Sequence, residues 1–182
     1  MLTLEFDGLF RGAPHDYHLK ADAGLMCYGW VILREGVVIA RGHGGYTSTQ
    51  HASSNVAEYL GLIEGMEALL DLQAYREIVM ICGDAKSVIE QMEGTASVVA
   101  GSIKPLHRRA IKLAHKFKRL YWSWTPRRNN QAADALTRRA LRQIRANPQH
   151  YEDAFAPVNN RSTARMRSVL DLRMYQQAAI SI

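Results

Sequence analysis

Ser53-Ser54-Asn55-Val56-Ala57-Glu58-Tyr59-Leu60-Gly61-Leu62-Ile63-Glu64-Gly65-Met66-Glu67-Ala68-Leu69-Leu70 is the stretch on which the fold turns. It opens with hydroxyl and amide side chains suited to capping a helix N-terminus. From Val56 onward apolar residues return at helical spacing, at Leu60, Ile63, Met66, Leu69 and Leu70, which predicts a helix from about Asn55 to Leu72. Glu58 falls near the apolar stripe in the first turn. Burying a carboxylate there is costly unless it is paired or bound to a cation. Complementing the helix dipole is the plainer role for a single acid at such a place. Glu64, Glu67 and Asp71 read as charges of a solvated face.

The segments before this helix are strand-like. Leu2 to Asp7 alternates apolar and polar residues and ends at Asp7-Gly8. A loop marked by Gly8, Gly12, Pro14 and Gly24 follows, carrying His15-Asp16-Tyr17-His18. Met26 to Leu33 and Val37 to Gly44 read as two strands joined by a hairpin turn at Arg34-Glu35-Gly36. After the helix, Glu77 to Asp84 is almost wholly apolar, as suits a strand buried on both faces. Helices are expected at Ala85–Glu93, Pro105–Lys118 and Gln131–Arg145, with a strand at Leu120–Thr125 between the last two. The order β-β-β-α-β-α-α-β-α predicts an α/β fold, a mixed sheet with helices on its faces. The domain spans residues 1–146. Residues 147–182 are expected to be a linker and a helical extension, with Met166, Val169, Leu170, Met174 and Tyr175 as the helix's apolar stripe. Such a stripe would pack on the domain, on a second copy or on a protein partner.

Composition narrows the function. A chain of 182 residues, 47% hydrophobic and 22% charged, is globular in character, and it has no run of about 18 apolar residues to cross a membrane. No signal peptide is visible at Met1-Leu2-Thr3-Leu4-Glu5. Cys27 and Cys82 sit in apolar runs and read as buried thiols of a reducing compartment, which fits a cytoplasmic protein. The net charge of +6 is unevenly spread. Residues 1–103 carry six basic and thirteen acidic side chains, whereas residues 104–145 carry thirteen basic ones against Asp134 alone. That block points to a polyanionic partner, nucleic acid first.

Four acids occupy comparable places in the expected fold. Asp7 and Asp84 end strands, and Glu58 and Asp134 lie in first helical turns. Strand ends are where open α/β sheets gather their active residues. Four carboxylates meeting there could not stay ionised together without cations. An oxygen-only donor set suits hard divalent ions such as Mg²⁺ or Mn²⁺. Two such ions about 4 Å apart would stabilise the attacking and leaving oxygens of a phosphodiester.

The pieces Phe6-Asp7-Gly8, Ser54-Asn55-Val56-Ala57-Glu58-Tyr59, Gly83-Asp84-Ala85-Lys86-Ser87-Val88-Ile89 and Thr125 to Asp134 resemble, in order and spacing, ribonuclease H of type 1. They look most like its branch without the basic handle helix. The likeness runs from Leu2 to about Leu141. It implies a ribonuclease H-like fold with a five-stranded mixed sheet and an endoribonuclease that cuts the RNA strand of RNA/DNA hybrids, leaving 5′-phosphate and 3′-hydroxyl ends. It further implies two Mg²⁺ ions, with Mn²⁺ able to substitute, held by Asp7, Glu58, Asp84 and Asp134. Gly8, Asn55, Lys86, Arg127, Arg128 and Asn130 are the implied nucleic-acid contacts. Two rival readings use the same residues: a nuclease of this fold acting on another duplex or junction, and a silent nucleic-acid binding module. The chain departs from the pattern in three ways. No histidine lies between Thr125 and Asp134, and the loop after Gly8 is longer by roughly Tyr17 to Met26. The handle is missing as well, so the helix from Pro105 to Lys118 and Arg161, Arg165 and Arg167 are the candidates to supply hybrid affinity.

Overall fold

The computed structural model describes residues 1–13, 23–48, 50–147, 149 and 166–176. The His15-to-His18 cluster, most of the expected insertion, Arg161 and Arg165 lie outside these residues.

Six strands form one mixed sheet: β1 (Leu2–Gly12), β2 (Gly24–Arg34), β3 (Val37–Ser48), β4 (Ile78–Gly83), β5 (Arg119–Trp124) and β6 (Arg167–Tyr175), in the order β5-β4-β1-β2-β3-β6. β1, β2 and β3 are antiparallel neighbours, while β4 and β5 run parallel to β1. The turn between β2 and β3 has two central residues, Glu35 (φ 52°) and Gly36 (φ 82°), both left-handed. That is the twist a two-residue hairpin requires.

Among the described residues four helices cover the sheet: α1 (Ser54–Asp71), α2 (Lys86–Glu93), α3 (Lys104–Ala114), which ends short of the expected Lys118, and α4 (Gln131–Arg145). No helix intervenes between α2 and α3, so the handle is absent as expected. The Ser53 hydroxyl caps α1 by accepting from the Val56 N–H at 3.2 Å. Most of α1 is buried, since β1 and β2 lie beneath it and α3 lies beside it. Phe6, Trp30, Tyr59, Ile63 and Met66 fill that core. α4 lies on the opposite face, over Leu25 and Cys27 of β2, with Ala140, Leu141 and Ile144 turned inward. Cys27 and Cys82 are both free thiols, Cys27 buried as expected and Cys82 only half-buried.

Two expectations need correction. β1 does not stop at Asp7 but continues to Gly12, still paired with β2. Its parallel pairing with β4 ends at Phe6 opposite Gly83, so Asp7 is the first residue of β1 to lose that neighbour. The second correction concerns the extension. Its described part is a strand, β6, which adds a sixth member to the sheet expected to have five. β6 pairs antiparallel with β3, Arg173 opposite Gly42 and Asp171 opposite Gly44. The alternation Leu170-Asp171-Leu172-Arg173-Met174 satisfies the strand period as well as the helical one. A free β3 edge, with its unpaired backbone groups, selects the strand.

Candidate metal centre

Asp7, Glu58 and Asp84 arrive from three elements, and each offers an oxygen within 4.8 Å of those of the other two. Asp7 is 2% exposed and Glu58 9%. The approach of α1 to β1 depends on two glycines. A Cβ on Gly8 would lie 2.2 Å from the Glu58 backbone nitrogen, and one on Gly61 would lie 2.7 Å from the Asp7 carbonyl oxygen. Gly8, expected as a nucleic-acid contact, is thus a spacing residue whose backbone N–H also donates to the Glu58 carboxylate. A Gly8→Ala variant is expected to lose about 2 kcal/mol or more of stability, by analogy with overpacked cores. It should also bind divalent ions more weakly. Unchanged melting and unchanged metal affinity would count against this spacing role.

Asp84 follows the last residue of β4 and is held from two sides. The Trp124 indole N–H donates to its carbonyl at 3.1 Å. The Asn130 amide donates to the Phe6 carbonyl at 2.7 Å and lies 3.3 Å from Asp84 Oδ1. Asn130 is fully buried, so it cannot serve as the surface contact expected of it. Its place is inside, tying the start of α4 to β1 and to Asp84.

Asp134 lies in the first turn of α4, outside the group of three. Arg127 Nη2 meets Asp134 Oδ1 at 2.7 Å, and Arg138 Nε meets Oδ2 at 2.7 Å. Of the remaining expected contacts, Lys86 is exposed and 3.6 Å from Glu90. Asn55 accepts from the Ser87 hydroxyl at 3.2 Å, and Arg128 is exposed. On the expected basic helix Arg109 is engaged by Glu67, while Arg108, Lys112 and Lys116 face solvent, as does Arg167 on β6. The grip of Arg127 and Arg138 on Asp134 was missed from sequence. For Arg138 the signal was present, because four residues along a helix bring opposite charges together.

The electrostatics separate these acids into two kinds. Burial, assisted by the charges of Asp84 and Asp134, pushes the Asp7 carboxyl up to about 6. Burial, then the charges of Asp7 and Asp84, raises Glu58 well above its ordinary value. Burial acts upward on Asp134 too, but hydrogen bonds from Arg138 and Arg127 outweigh it and hold that carboxyl low. Glu58 Oε2 is buried without any hydrogen-bond partner. An orphaned carboxylate oxygen facing two further carboxylates is what a bound cation would complete. All the donors are oxygen, which fits a hard divalent ion and no soft one.

Comparison with known proteins places this geometry in a lineage. Residues 18–140 match the family described as reverse transcriptase-like. A bifunctional protein of Mycobacterium tuberculosis is 32% identical over 140 residues, which are 77% of this chain and 35% of that protein. The chain therefore spans about a third of that relative. Its solved N-terminal RNase H domain superposes with a TM-score of 0.65 at 30% identity, covering 78% of this chain and 94% of the domain. The solved RNase H1 of Halobacterium salinarum gives a TM-score of 0.65 at 29% identity, over 78% of this chain and 98% of that one. At 22% identity and TM-score 0.66, an RNase H1 solved with an RNA/DNA hybrid shares the fold.

Proposed function

The chain belongs to the reverse transcriptase-like family, on the ribonuclease H fold, and from that premise we propose that it is a metal-dependent endonuclease cutting the RNA strand of RNA/DNA hybrids. The observation that carries the reading is the convergence of Asp7, Glu58 and Asp84, three carboxylates from three elements with one oxygen left unpartnered. Binding alone would not call for such a cluster, because it repels the phosphates it would have to meet. Support for the substrate comes from the relatives named as ribonucleases H, one of them solved with a hybrid bound.

In this reading Asp7, Glu58, Asp84 and Asp134 would hold two Mg²⁺ ions, with Mn²⁺ able to replace either. When bound, the ions supply positive charge for the scissile phosphate and acidify an attacking water. The rest falls to the protein. The Gly8 N–H favours the ionised Glu58 carboxylate, and Asn130 fixes Asp84 against β1. Asp7 sits where the parallel pairing ends, so its oxygens face both neighbours. Arg127 and Arg138 keep Asp134 ionised. Arg127, whose charge is felt by Asp7 and Glu58, would offer a guanidinium to the phosphate. The products would be 5′-phosphate and 3′-hydroxyl ends. Hydrolysis of a labelled hybrid with Mg²⁺, beside duplex RNA and duplex DNA, tests the proposal. Cleavage of the hybrid's RNA strand alone, lost in Asp84→Asn, is the expected result. Cutting of another duplex would keep the site and move the substrate. Inactivity on all three by folded protein would refute the enzyme.

A further inference from the structure

A second concavity lies on the α4 face of the sheet, away from the carboxylates. It has a volume of about 590 Å³, within the range of sites for small ligands. Its walls come from α4, from β2 and β3, and from the end of β6. Along α4 its residues Ala135, Leu136 and Arg139 are turned from Asp134 by roughly 100–200° at 3.6 residues per turn. The metal centre therefore occupies a different flank of the helix. The β6 wall, including Met174, lies beyond residues 18–140, where the family likeness ends.

Three arginines line this concavity: Arg41 on β3, with Arg139 and Arg142 across from it on α4. All three are exposed. Every acid-paired arginine of the described residues, namely Arg34, Arg109, Arg127, Arg138 and Arg173, lies elsewhere. Three like charges around one hollow repel one another, and an anion would relieve that. The field is felt nearby: burial, then the charges of Arg139 and Arg41, hold the His43 imidazole below its ordinary pKa, against the pull of its bond to Gln143. Between the arginines the surface is apolar, with Val31 and Leu136 buried and Met174 53% exposed. An inorganic ion would leave that surface wet. A ligand with an anionic edge and a flat apolar body would use both, and guanidinium planes stack on bases as well as pairing with phosphates.

We propose that this hollow is a second nucleic-acid site, which takes an unpaired strand with phosphates on Arg41, Arg139 and Arg142 and a base against Val31, Leu136 and Met174. It rests on the nucleic-acid reading of the metal centre but not on the chemistry there. An unpaired flank or displaced strand would be captured on one face while the duplex is held at the other.

Fluorescence anisotropy of a labelled single-stranded oligothymidylate, with the full chain and no divalent ion, tests it. The Arg41→Gln/Arg139→Gln/Arg142→Gln variant should bind at least about tenfold more weakly, with a log–log salt slope shallower by about 2, since each phosphate contact on a single strand contributes about 0.7. A charge-matched Arg34→Gln/Arg76→Gln/Arg119→Gln variant, changed at the end of β2, just before β4 and at the start of β5, should lose much less. Equal losses in the two triple variants would mean diffuse attraction and overturn the site. No loss in the first would do the same, as would thymidine monophosphate competing as tightly per site as the strand. Melting temperatures of all variants confirm folding. Hybrid cleavage by the parent reports the metal centre separately, so failure of one reading does not imply failure of the other.

Discussion

An Asp7→Asn variant is expected to melt higher than the parent at neutral pH in the absence of divalent ions, and to cleave hybrid at least about 10³-fold more slowly with them. The second effect follows if Asp7 faces both ions, because removing a group that acts as part of a unit forfeits most of what the unit supplies. The first follows from burial. The Asp7 carboxyl ionises at about 6 when folded, against 3.8 for the ordinary group. Between those values the folded state binds the proton more tightly than the unfolded chain does. Stability conferred by that proton is therefore complete below about pH 4 and lost as pH rises through about 6. Asparagine carries no such penalty at any pH. The two-unit difference corresponds to an upper bound of about 3 kcal/mol at pH 7, or several degrees of melting temperature in a chain of this size. The gap should close on acidification to pH 4. Saturating Mg²⁺ should reverse the order, since ligand binding to the folded state stabilises the parent and leaves the variant behind. Equal melting of the two metal-free proteins from pH 5 to 8 would show that Asp7 is not held in a repulsive cluster.

The carboxylates were readable because each lies beside a local signal. A strand ends its parallel pairing after Phe6, β4 gives out at Gly83, and Asp134 lies in the first turn of α4. Glu58, expected in a first turn, lies instead in the second turn of α1, which begins at Ser54. The meeting of Asp7, Glu58 and Asp84, which Asp134 does not join, also needs Gly8 and Gly61, and glycine alone says nothing about how closely two backbones will pass. Asn130 could not be placed from sequence. A buried amide and a surface amide look alike in a polar loop, and what separates them is the Phe6 carbonyl it satisfies 124 residues away. Glu64 was misread for a related reason. On a helical wheel it belongs with Glu67 and Asp71 on a solvated face, yet it is 3% exposed. It is engaged by Tyr46 of β3 and by Arg173 of β6, and the strand character of β6 is itself invisible to a pattern that fits two periods. The error in the tail and the error in the helix are one error.

That linkage makes Arg173 the second residue whose replacement should have a large effect. Arg173 Nη2 meets Glu64 Oε2 at 2.6 Å, Nη1 meets Asp71 at 3.1 Å, and the Tyr46 hydroxyl donates to Glu64 Oε1 at 2.9 Å. The Tyr28 hydroxyl donates to Asp171 at 3.1 Å and that of Tyr175 to Asp71 at 2.9 Å. β6 is therefore fastened across the top of α1 by a polar network, as well as along β3 by its backbone. Burial raises the Glu64 carboxyl even with Tyr46 and Arg173 pulling it down. Arg173→Met leaves that carboxyl buried without its cation, and breaking such a pair from one side costs about 3–5 kcal/mol. Glu64 can escape part of this by binding a proton, so the loss should shrink as pH falls toward 5. Glu64→Gln combined with Arg173→Met should recover most of the stability, because the stranded charge causes the loss rather than the missing attraction. Urea unfolding at pH 7.5 and pH 5 of the single and double variants measures all three statements. A loss below about 1 kcal/mol in the single variant, the scale of a surface ion pair, would mean that β6 is held by its backbone alone. A loss of the expected size, rescued in the double variant, would make the extension a structural part of the domain, since α1, which it secures at Glu64, carries Glu58 less than two turns away.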